Sequence, residues 1–445
     1  MTAIISLARF TATALPEHRA QDVIAPAVAD CFGCILAGAE SKVADRVVTS
    51  LAAYGAGQAP LYGRGQTISP LFAAQINAVA GHAWDLDDWE EPGNTHPTVV
   101  LLPALLAAAH IKTARGAELL AAYAVGAEII MRLGEALTLD HYARGFHSTA
   151  TLGTIGAAGA VARLLNLSEE QTAHALALSV SQATGYTLQF GSNAKPLQAG
   201  WAARGGLESA LLAAQGVTGQ PHVLDSNRGF AGLMGRFDAA RFAQAMDRLA
   251  APWALLDYGL VLKPWPSCGY THRLMTAALD LRPKVKDRLT EITAIHARIP
   301  DFHAEILPFH LPTSRAEALF SAPACIAQTL VSGNLTLGDS EAGFWTLPEV
   351  ARLINRTGLT AEPALHPDLN YDPEQPDVLV VELASGDRLE ARCAYPLGAA
   401  QNPMTTDQLA AKFAALTPEQ AGTFQDVLNW PDAPDIAAFF QRMAQ

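Results

Sequence analysis

The sequence has little charge and very few lysines. Only 16% of its 445 residues are charged, and lysine occurs at seven positions. The formal net charge of −13 argues against a nucleic-acid partner, because such proteins present a basic face. An anionic small-molecule substrate is compatible with this charge, since binding depends on the local charge of a cleft rather than on the total.

Cysteines and long apolar runs are also scarce. The five cysteines form no even disulfide framework, and free thiols suit a reducing cytoplasm. Cys31 and Cys34 form a C-x-x-C pair in an apolar, helix-like run, so we interpret them as buried core thiols rather than as a redox or metal site. The longest apolar run, Thr98 to Ala109, is shorter than the roughly 18–20 residues of a membrane span. No basic region followed by a cleavage site is found at the N-terminus. We therefore predict a cytoplasmic protein without a membrane partner.

Several common catalytic motifs are missing. The chain contains no G-x-G-x-x-G fingerprint, no phosphate-binding loop and no G-x-S-x-G nucleophile elbow. These absences disfavour dinucleotide-dependent redox chemistry, nucleotide hydrolysis and serine-hydrolase chemistry. We therefore predict an enzyme that uses acid–base chemistry and needs no cofactor.

Residue spacing predicts a mainly α fold with two domains. Apolar residues recur at helical spacing through residues 1–265, whereas residues 291–299 alternate like a strand. Residues 378–383 and 388–393 flank a turn and predict a hairpin. We therefore predict a large all-helical domain over 1–265 and 402–445, with a smaller α+β lid domain over 266–401 inserted before the C-terminal helices. The Gly- and Ala-rich run 153–160 predicts close helix packing.

The most distinctive segment runs from His82 to Trp89 and is followed by His96. It places the carboxylates of Asp85, Asp87 and Asp88 close to two imidazoles, between Ala- and Leu-rich flanks. Carboxylates and imidazoles together are typical of proton transfer and of metal binding. The spacing matches no metal signature such as H-E-x-x-H, so we predict no metal. A divalent ion held by this cluster is the alternative.

Cationic and imidazole side chains elsewhere are further candidates. Lys195 and Lys263 both precede proline, which favours extended backbone at loops or element ends. His147 precedes the small-residue helix, where backbone N–H groups attract anions. His272 and Arg273 are predicted either to contact a carboxylate or to cap a helix.

These motifs, taken in order, resemble those of the MmgE/PrpD family over nearly the whole chain. The resemblance lies in Asp30-Cys31-Phe32-Gly33, the Asp85–His96 segment, Phe146-His147, Lys195-Pro196 with Gly200–Gly206, Lys263-Pro264-Trp265-Pro266 with His272, and Tyr395–Gly398 with Asn402-Pro403. It implies a homodimer whose active site lies between a helical domain and an α+β lid, without a metal. It places Asp85, His96, His147, Lys195 and Lys263 at active-site positions. We further predict substrate contacts for Trp89, Arg204, His272 and Arg273.

The family includes 2-methylcitrate dehydratases, cis-aconitate decarboxylases and iminodisuccinate epimerase. This chain has Ala324 where many members carry a tyrosine after Ser-x-Pro, and its segment before His96 is enlarged and acidic. Both departures favour an isomerase that acts as an epimerase of iminodisuccinate. In this interpretation Glu90 and Glu91 face an ammonium group of the substrate. The first alternative is a 2-methylcitrate dehydratase, and the second is a cis-aconitate-type decarboxylase. A non-catalytic polycarboxylate-binding protein is an alternative from a different functional class.

Overall fold

The computed structural model describes residues 2–445, which divide into two units. The first unit contains the chain up to Ala83, Asp87–Leu262 and Thr405–Gln445; the second contains Trp84–Leu86 and Lys263–Met404. The main boundaries lie within three residues of those expected from the sequence. The sequence did not indicate that the short stretch Trp84–Leu86 belongs with the second unit.

Helices dominate, as predicted, with 58% of residues helical and 9% in strands. The elements before residue 263 are α1 (Ala3–Thr13), α2 (Ala20–Gly38), α3 (Lys42–Leu51), β1 (Ala59–Leu61), β2 (Gln66–Ile68), α4 (Pro70–His82), α5 (Pro97–Ala109), α6 (Gly116–Ala143), α7 (Ser148–Leu165), α8 (Glu169–Val180), α9 (Ala194–Ala214), α10 (Phe230–Met234), α11 (Ala239–Asp247) and α12 (Ala254–Asp257). The second unit contributes α13 (His272–Val285), β3 (Ile292–Pro300), α14 (Asp301–Ile306), α15 (Arg315–Ala318), α16 (Ala322–Ser332), α17 (Leu337–Ala342), α18 (Pro348–Ile354), β4 (Thr357–Glu362), β5 (Asp377–Leu383) and β6 (Arg388–Cys393). The chain ends with α19 (Thr406–Leu416), α20 (Phe424–Leu428) and α21 (Ile436–Met443).

Helix α7 lies at the centre of the first unit and packs against α5, α6, α8 and α9. Its small residues permit this. A Cβ atom at Gly156 would lie 2.4 Å from the Ile130 side chain on α6. A Cβ atom at Gly206 of α9 would lie 2.4 Å from the Cβ atom of Ala157 on α7. Larger residues would push the helices apart, so the close packing predicted for the Gly/Ala run is confirmed.

Helix α2 is also a core helix of the first unit. It is long and apolar enough to cross a membrane by length and composition, although 67% of that window is buried inside the protein. This differs from the sequence analysis, which found no run of sufficient length. Its Asp30 carboxylate accepts a hydrogen bond from the Lys412 ammonium at 2.7 Å, and both side chains are buried. Burial raises the pKa of Asp30, while Lys412 opposes that rise.

The second unit is built on a four-stranded sheet in the order β4-β3-β5-β6. Strand β3 pairs parallel with β4 and antiparallel with β5, and β5 pairs antiparallel with β6. Helices α13, α16 and α18 contribute to its core. The strand near residues 291–299 and the hairpin are confirmed. The edge strand β4 was missed because its side chains are largely exposed, which leaves a weak hydrophobic pattern.

One detail of the predicted architecture is wrong. The first unit is not all helical, because β1 and β2 form an antiparallel hairpin with Ala59 opposite Ile68. Both strands have only three residues. Such short strands leave little periodicity in a sequence.

We expect Lys412→Met to lower the free energy of unfolding by about 3–5 kcal/mol at pH 8, because it leaves the buried Asp30 carboxylate without its cation. The loss should shrink toward pH 5, where burial favours the neutral carboxyl. Urea unfolding at both pH values measures this. Adding Asp30→Asn should recover most of the loss, and Arg9→Met, which removes an exposed pair with Glu169, should cost under about 1 kcal/mol. Equal losses for Lys412→Met and Arg9→Met would contradict the assignment.

Candidate active site

Three helices of the first unit begin at candidate catalytic residues. His96 is the N-cap residue of α5, His147 is the N-cap residue of α7, and Lys195 is the second residue of α9. None of the three helices has a side-chain cap, and the helices pack against one another. Helix N-termini carry partial positive charge and attract anions. Lys195 lies at the end of an element, as predicted, but the expected extended backbone is wrong. Pro196 is tolerated in a first turn, where N–H groups have no intrahelical acceptor.

The Asp87 carboxylate holds two imidazoles. The Nδ1 atom of His82 lies 2.8 Å and 2.9 Å from its two oxygens, and the Nδ1 atom of His96 lies 3.1 Å from Oδ2. The rings of His82 and His96 meet edge to face, with centroids 4.6 Å apart. Burial alone raises the pKa of Asp87, but the two imidazoles outweigh burial and hold the pKa well below its usual value. The carboxylate therefore accepts a hydrogen bond from His82 Nδ1 and lies within ion-pair distance of His96 Nδ1.

His82, Asp87 and His96 also resemble a metal-binding group. One donor atom from each lies within 4.8 Å of the others, and imidazole with carboxylate suits several divalent ions. However, both Nδ1 atoms face the Asp87 carboxylate, and that of His82 is hydrogen-bonded to it. We therefore describe the group as a triad centred on Asp87.

His147 is held by the first turns of α9. Its Nδ1 atom lies 2.6 Å from Gln198 Oε1, and the Gln198 amide donates through Nε2 to the Tyr186 carbonyl at 3.2 Å. This orientation makes Nδ1 of His147 the donor and leaves the lone pair on Nε2. The Lys195 ammonium lies 5.1 Å from the Phe190 ring, whose centroid is 5.0 Å from that of His147. Burial, His82 and Lys195 together lower the pKa of His147 well below 6.5.

A structured loop connects Asp87 to His96. The backbones of Trp89 and Val261 exchange hydrogen bonds of 3.0 and 2.8 Å, and the Glu90 N–H donates to the Thr95 carbonyl. The buried Glu90 carboxylate accepts from the Gly93 N–H, the Thr95 N–H and the Thr95 hydroxyl. We therefore assign Glu90 to holding the loop, instead of the predicted contact with a substrate ammonium. Burial raises its pKa to about 7.

The N–H of His96 donates to the Thr149 hydroxyl at 3.0 Å. This bond connects the beginning of α5 to the first turn of α7, which follows His147. Burial lowers the pKa of His96 to about 4, with Asp87 opposing the change and with His82 and Lys195 adding to it. Both candidate imidazoles are thus neutral in the ligand-free protein near pH 7.

In the second unit, Asp85 and Lys263 form a pair. Lys263 Nζ lies 3.1 Å from Asp85 Oδ1 and also donates to the Asp85 carbonyl. The lysine is almost fully buried, and Asp85 has a positive φ of 52°. Lys263 lies in a loop, as its position before proline predicted. The roles expected for these two residues remain predictions.

The four residues predicted to contact substrate lie in different parts of the structure. Trp89 is buried in the loop described above. Arg204 donates to Gln75 at 3.4 Å and lies over the Phe72 ring. Within the second unit, His272 begins α13 edge-on to Trp265, and the buried Arg273 guanidinium forms an ion pair with Asp377.

Arg204 and Arg273 thus have partners inside their own units, and their predicted substrate contacts stay predictions. At position 324, where many family members have a phenol, the structure has a buried alanine in the first turn of α16.

Four residues that build the site are not among the active-site positions predicted from the sequence: His82, Asp87, Gln198 and Thr149. His82 and Asp87 were visible as part of the acidic cluster, but their spacing alone does not tell which carboxylate faces which ring. In the structure, Asp87 makes this contact. Gln198 and Thr149 are found only through helix packing.

The first unit therefore brings buried imidazoles and an ammonium to the beginnings of three helices. Comparison with known protein families identifies the family of the chain. Residues 6–242 match the MmgE/PrpD N-terminal domain, and residues 265–426 match the MmgE/PrpD C-terminal domain. The chain belongs to the MmgE/PrpD family.

Similar proteins in this family are enzymes named cis-aconitate decarboxylase. The human protein is 31% identical over 359 residues, which cover 78% of this chain and 73% of the human chain. The mouse protein is 29% identical over 363 residues, covering 78% and 72% of the two chains. The Aspergillus terreus protein is 25% identical over 439 residues, covering 94% and 88%. These names support a lyase, and they give no support to the predicted iminodisuccinate epimerase.

We expect Glu90 to make stability depend on pH. Because its folded-state pKa is raised from 4.5 to about 7, the stability it contributes is complete below about pH 4.5 and is lost as pH rises through 7. The loss amounts to about 3 kcal/mol. Glu90→Gln should remove this part of the pH dependence, measured by urea unfolding from pH 4.5 to 8. The exposed Glu40→Gln serves as the control and should keep the wild-type curve; a Glu90→Gln curve parallel to wild type would disprove the assignment.

Proposed function

We propose that this protein is a lyase that decarboxylates an unsaturated tricarboxylate of the cis-aconitate type. The observation that carries the proposal is the arrangement on α7 and α9, where an imidazole and an ammonium are held together. Gln198 on α9 holds His147 through a hydrogen bond, and Lys195 lies one turn before Gln198 on α9. The names of the similar decarboxylases support the same chemistry.

Lys195 supplies the charge that this substrate needs. It is buried, with only 8% of its surface exposed, and an ammonium in such surroundings attracts a carboxylate strongly. The uncapped N-termini of α5, α7 and α9 add partial positive charge. These features together favour a ligand with several negative charges.

The reaction requires a single proton transfer to carbon. As CO₂ leaves the CH₂ group, the electrons of the broken bond form a new double bond to the central carbon. The original double-bond electrons then take a proton at the CH carbon. Atoms and charge balance if a group in the site supplies that proton.

We assign this proton to His147 Nε2. In the ligand-free protein the pKa of His147 is well below 6.5, chiefly because of burial. A substrate that brings carboxylates next to the ring favours the imidazolium. Substrate binding therefore protonates His147, and this is the proton that the reaction consumes. The Phe190 ring beside His147 provides apolar surface, and poor solvation of a carboxylate favours its loss as CO₂.

The test is proton NMR of the purified protein in D₂O with cis-aconitate, 2-methylcitrate and one iminodisuccinate stereoisomer in separate tubes. The proposal predicts loss of CO₂ from cis-aconitate and a product with a terminal CH₂ alkene and one deuterium in its other CH₂ group. Loss of water from 2-methylcitrate alone would identify a dehydratase. If only iminodisuccinate reacts, by exchange of its α-proton, the protein would be identified as an epimerase.

We expect His147→Gln to lower kcat for cis-aconitate by about 10²- to 10⁴-fold, the usual contribution of a positioned acid. Steady-state kinetics measure this. The exposed His222→Gln is the matched control and should keep wild-type kcat. A His147→Gln enzyme with more than about a tenth of wild-type kcat would remove His147 from the proposal.

Binding should also take up protons. Because substrate carboxylates raise the pKa of His147, we expect uptake of about one proton per site near pH 7. Calorimetry in buffers of different ionisation enthalpy measures this uptake with a non-reacting tricarboxylate such as tricarballylate. The uptake should disappear in His147→Gln. An unchanged uptake in that variant would assign the proton to another group.

A further inference from the structure

Ser148 is a buried hydroxyl without a hydrogen-bond partner at the beginning of α7. It is the first residue of that helix, and only 1% of its surface is exposed. Among residues 2–445, its Oγ atom has no hydrogen-bond partner. A buried hydroxyl that lacks a partner costs free energy, so its retention at this position calls for an explanation.

The backbone beside Ser148 also offers donors. The N–H groups of Ala150 and Thr151 donate to the His147 carbonyl at 2.9 and 3.1 Å. This leaves the N–H groups of Ser148 and Thr149 ahead of them without an intrahelical acceptor. The His147 side chain makes no cap to this turn, because its Nδ1 atom is used by Gln198. The helix has 18 residues, long enough for a full partial charge at its N-terminus.

Neighbouring bonds keep this turn in place. The Thr149 hydroxyl accepts from the His96 N–H at 3.0 Å, and the His147 N–H donates to the Gly185 carbonyl at 3.0 Å. The Thr149 hydroxyl is therefore used within the protein, whereas the Ser148 hydroxyl is available. A ligand that accepts hydrogen bonds at this turn needs no rearrangement of the backbone.

We propose that the first turn of α7 is a carboxylate subsite, in which the Ser148 hydroxyl and the backbone N–H groups beside it donate to one carboxylate of a polycarboxylate ligand. A carboxylate accepts several hydrogen bonds at once, and charge-assisted bonds of this kind are strong. A neutral hydroxyl or amide group would use fewer of these donors and gain nothing from the helix N-terminus. The inference rests on the proposed function, since it assigns one carboxylate of the same substrate class.

The subsite would also help to orient the substrate. Ser148 directly follows His147, so a carboxylate held at this turn lies next to the imidazole that delivers the proton. A second carboxylate of the same ligand could pair with the Lys195 ammonium on α9. Two separate anchors fix the substrate carbon chain more firmly than one, and such positioning contributes to catalysis.

Calorimetric titration of the full-length protein with tricarballylate tests the subsite without turnover. Ser148→Ala should raise the Kd about 5- to 30-fold, the equivalent of one lost charge-assisted hydrogen bond. Its melting temperature should be unchanged or higher, because the substitution removes a buried hydroxyl that has no partner in the free protein. Ser179→Ala is the matched control, since that buried hydroxyl donates to the Leu176 carbonyl at 2.7 Å. It should lower the melting temperature and leave the Kd unchanged.

Either of two results would overturn the subsite. An unchanged Kd in Ser148→Ala would mean that Ser148 bonds only to water. A fall in melting temperature as large as that of Ser179→Ala would assign Ser148 a structural role. With cis-aconitate, the subsite predicts a raised KM for Ser148→Ala and a kcat within about threefold of wild type.

The outcomes also separate this inference from the proposed function. Ser148-dependent binding of tricarballylate without turnover of cis-aconitate would reject the decarboxylase and support the subsite. Turnover of cis-aconitate with the same KM in Ser148→Ala would support the decarboxylase and reject the subsite. Wild-type protein that neither binds tricarballylate nor converts cis-aconitate would reject both.

Discussion

The close packing of α7 against its neighbours is the constraint on which the candidate site depends. Glycine at positions 156 and 206 lets α6 and α9 approach α7 to distances that a single methyl group would prevent. Because α5 and α9 both pack against α7, their N-termini bring His96 and Lys195 to the same region as His147. The positions of the helix N-termini therefore bring the candidate residues close to one another.

Burial explains how so few charges shift the pKa values of the candidate site. Asp30 and Lys412 neutralise each other in the core of the first unit, and Asp87 is shared by two imidazoles. His96 and His147 have lowered pKa values because burial and nearby cations both oppose a further positive charge. An anionic ligand removes that opposition. Negative charge bound beside these rings would favour their protonated form.

The departures of this chain from its family are local. Ala324 removes a phenol from the beginning of α16, but it leaves the triad of His82, Asp87 and His96 and the contact between His147 and Gln198 in place. The acidic loop before His96 uses Glu90 for its own hydrogen bonds, so the Glu90 carboxylate is no sign of a cationic substrate. The Glu90 contacts weaken one of the two reasons for preferring an epimerase, whereas Ala324 remains a departure from the family pattern. The names of the similar proteins separately favour a lyase.

The sequence by itself determined the family, the mainly α fold, the strands β3, β5 and β6, and the helix N-terminus at His147. Those features come from local patterns: apolar periodicity, turn residues and short motifs. It did not reveal the exposed edge strand β4 or the three-residue strands β1 and β2, whose patterns are too weak or too short. Only the tertiary structure decided that Asp87 orients the imidazoles, that Gln198 holds His147 and that Ser148 is left without a partner. The physical reason is that hydrogen bonds between distant residues depend on helix packing, which spacing along the chain does not record.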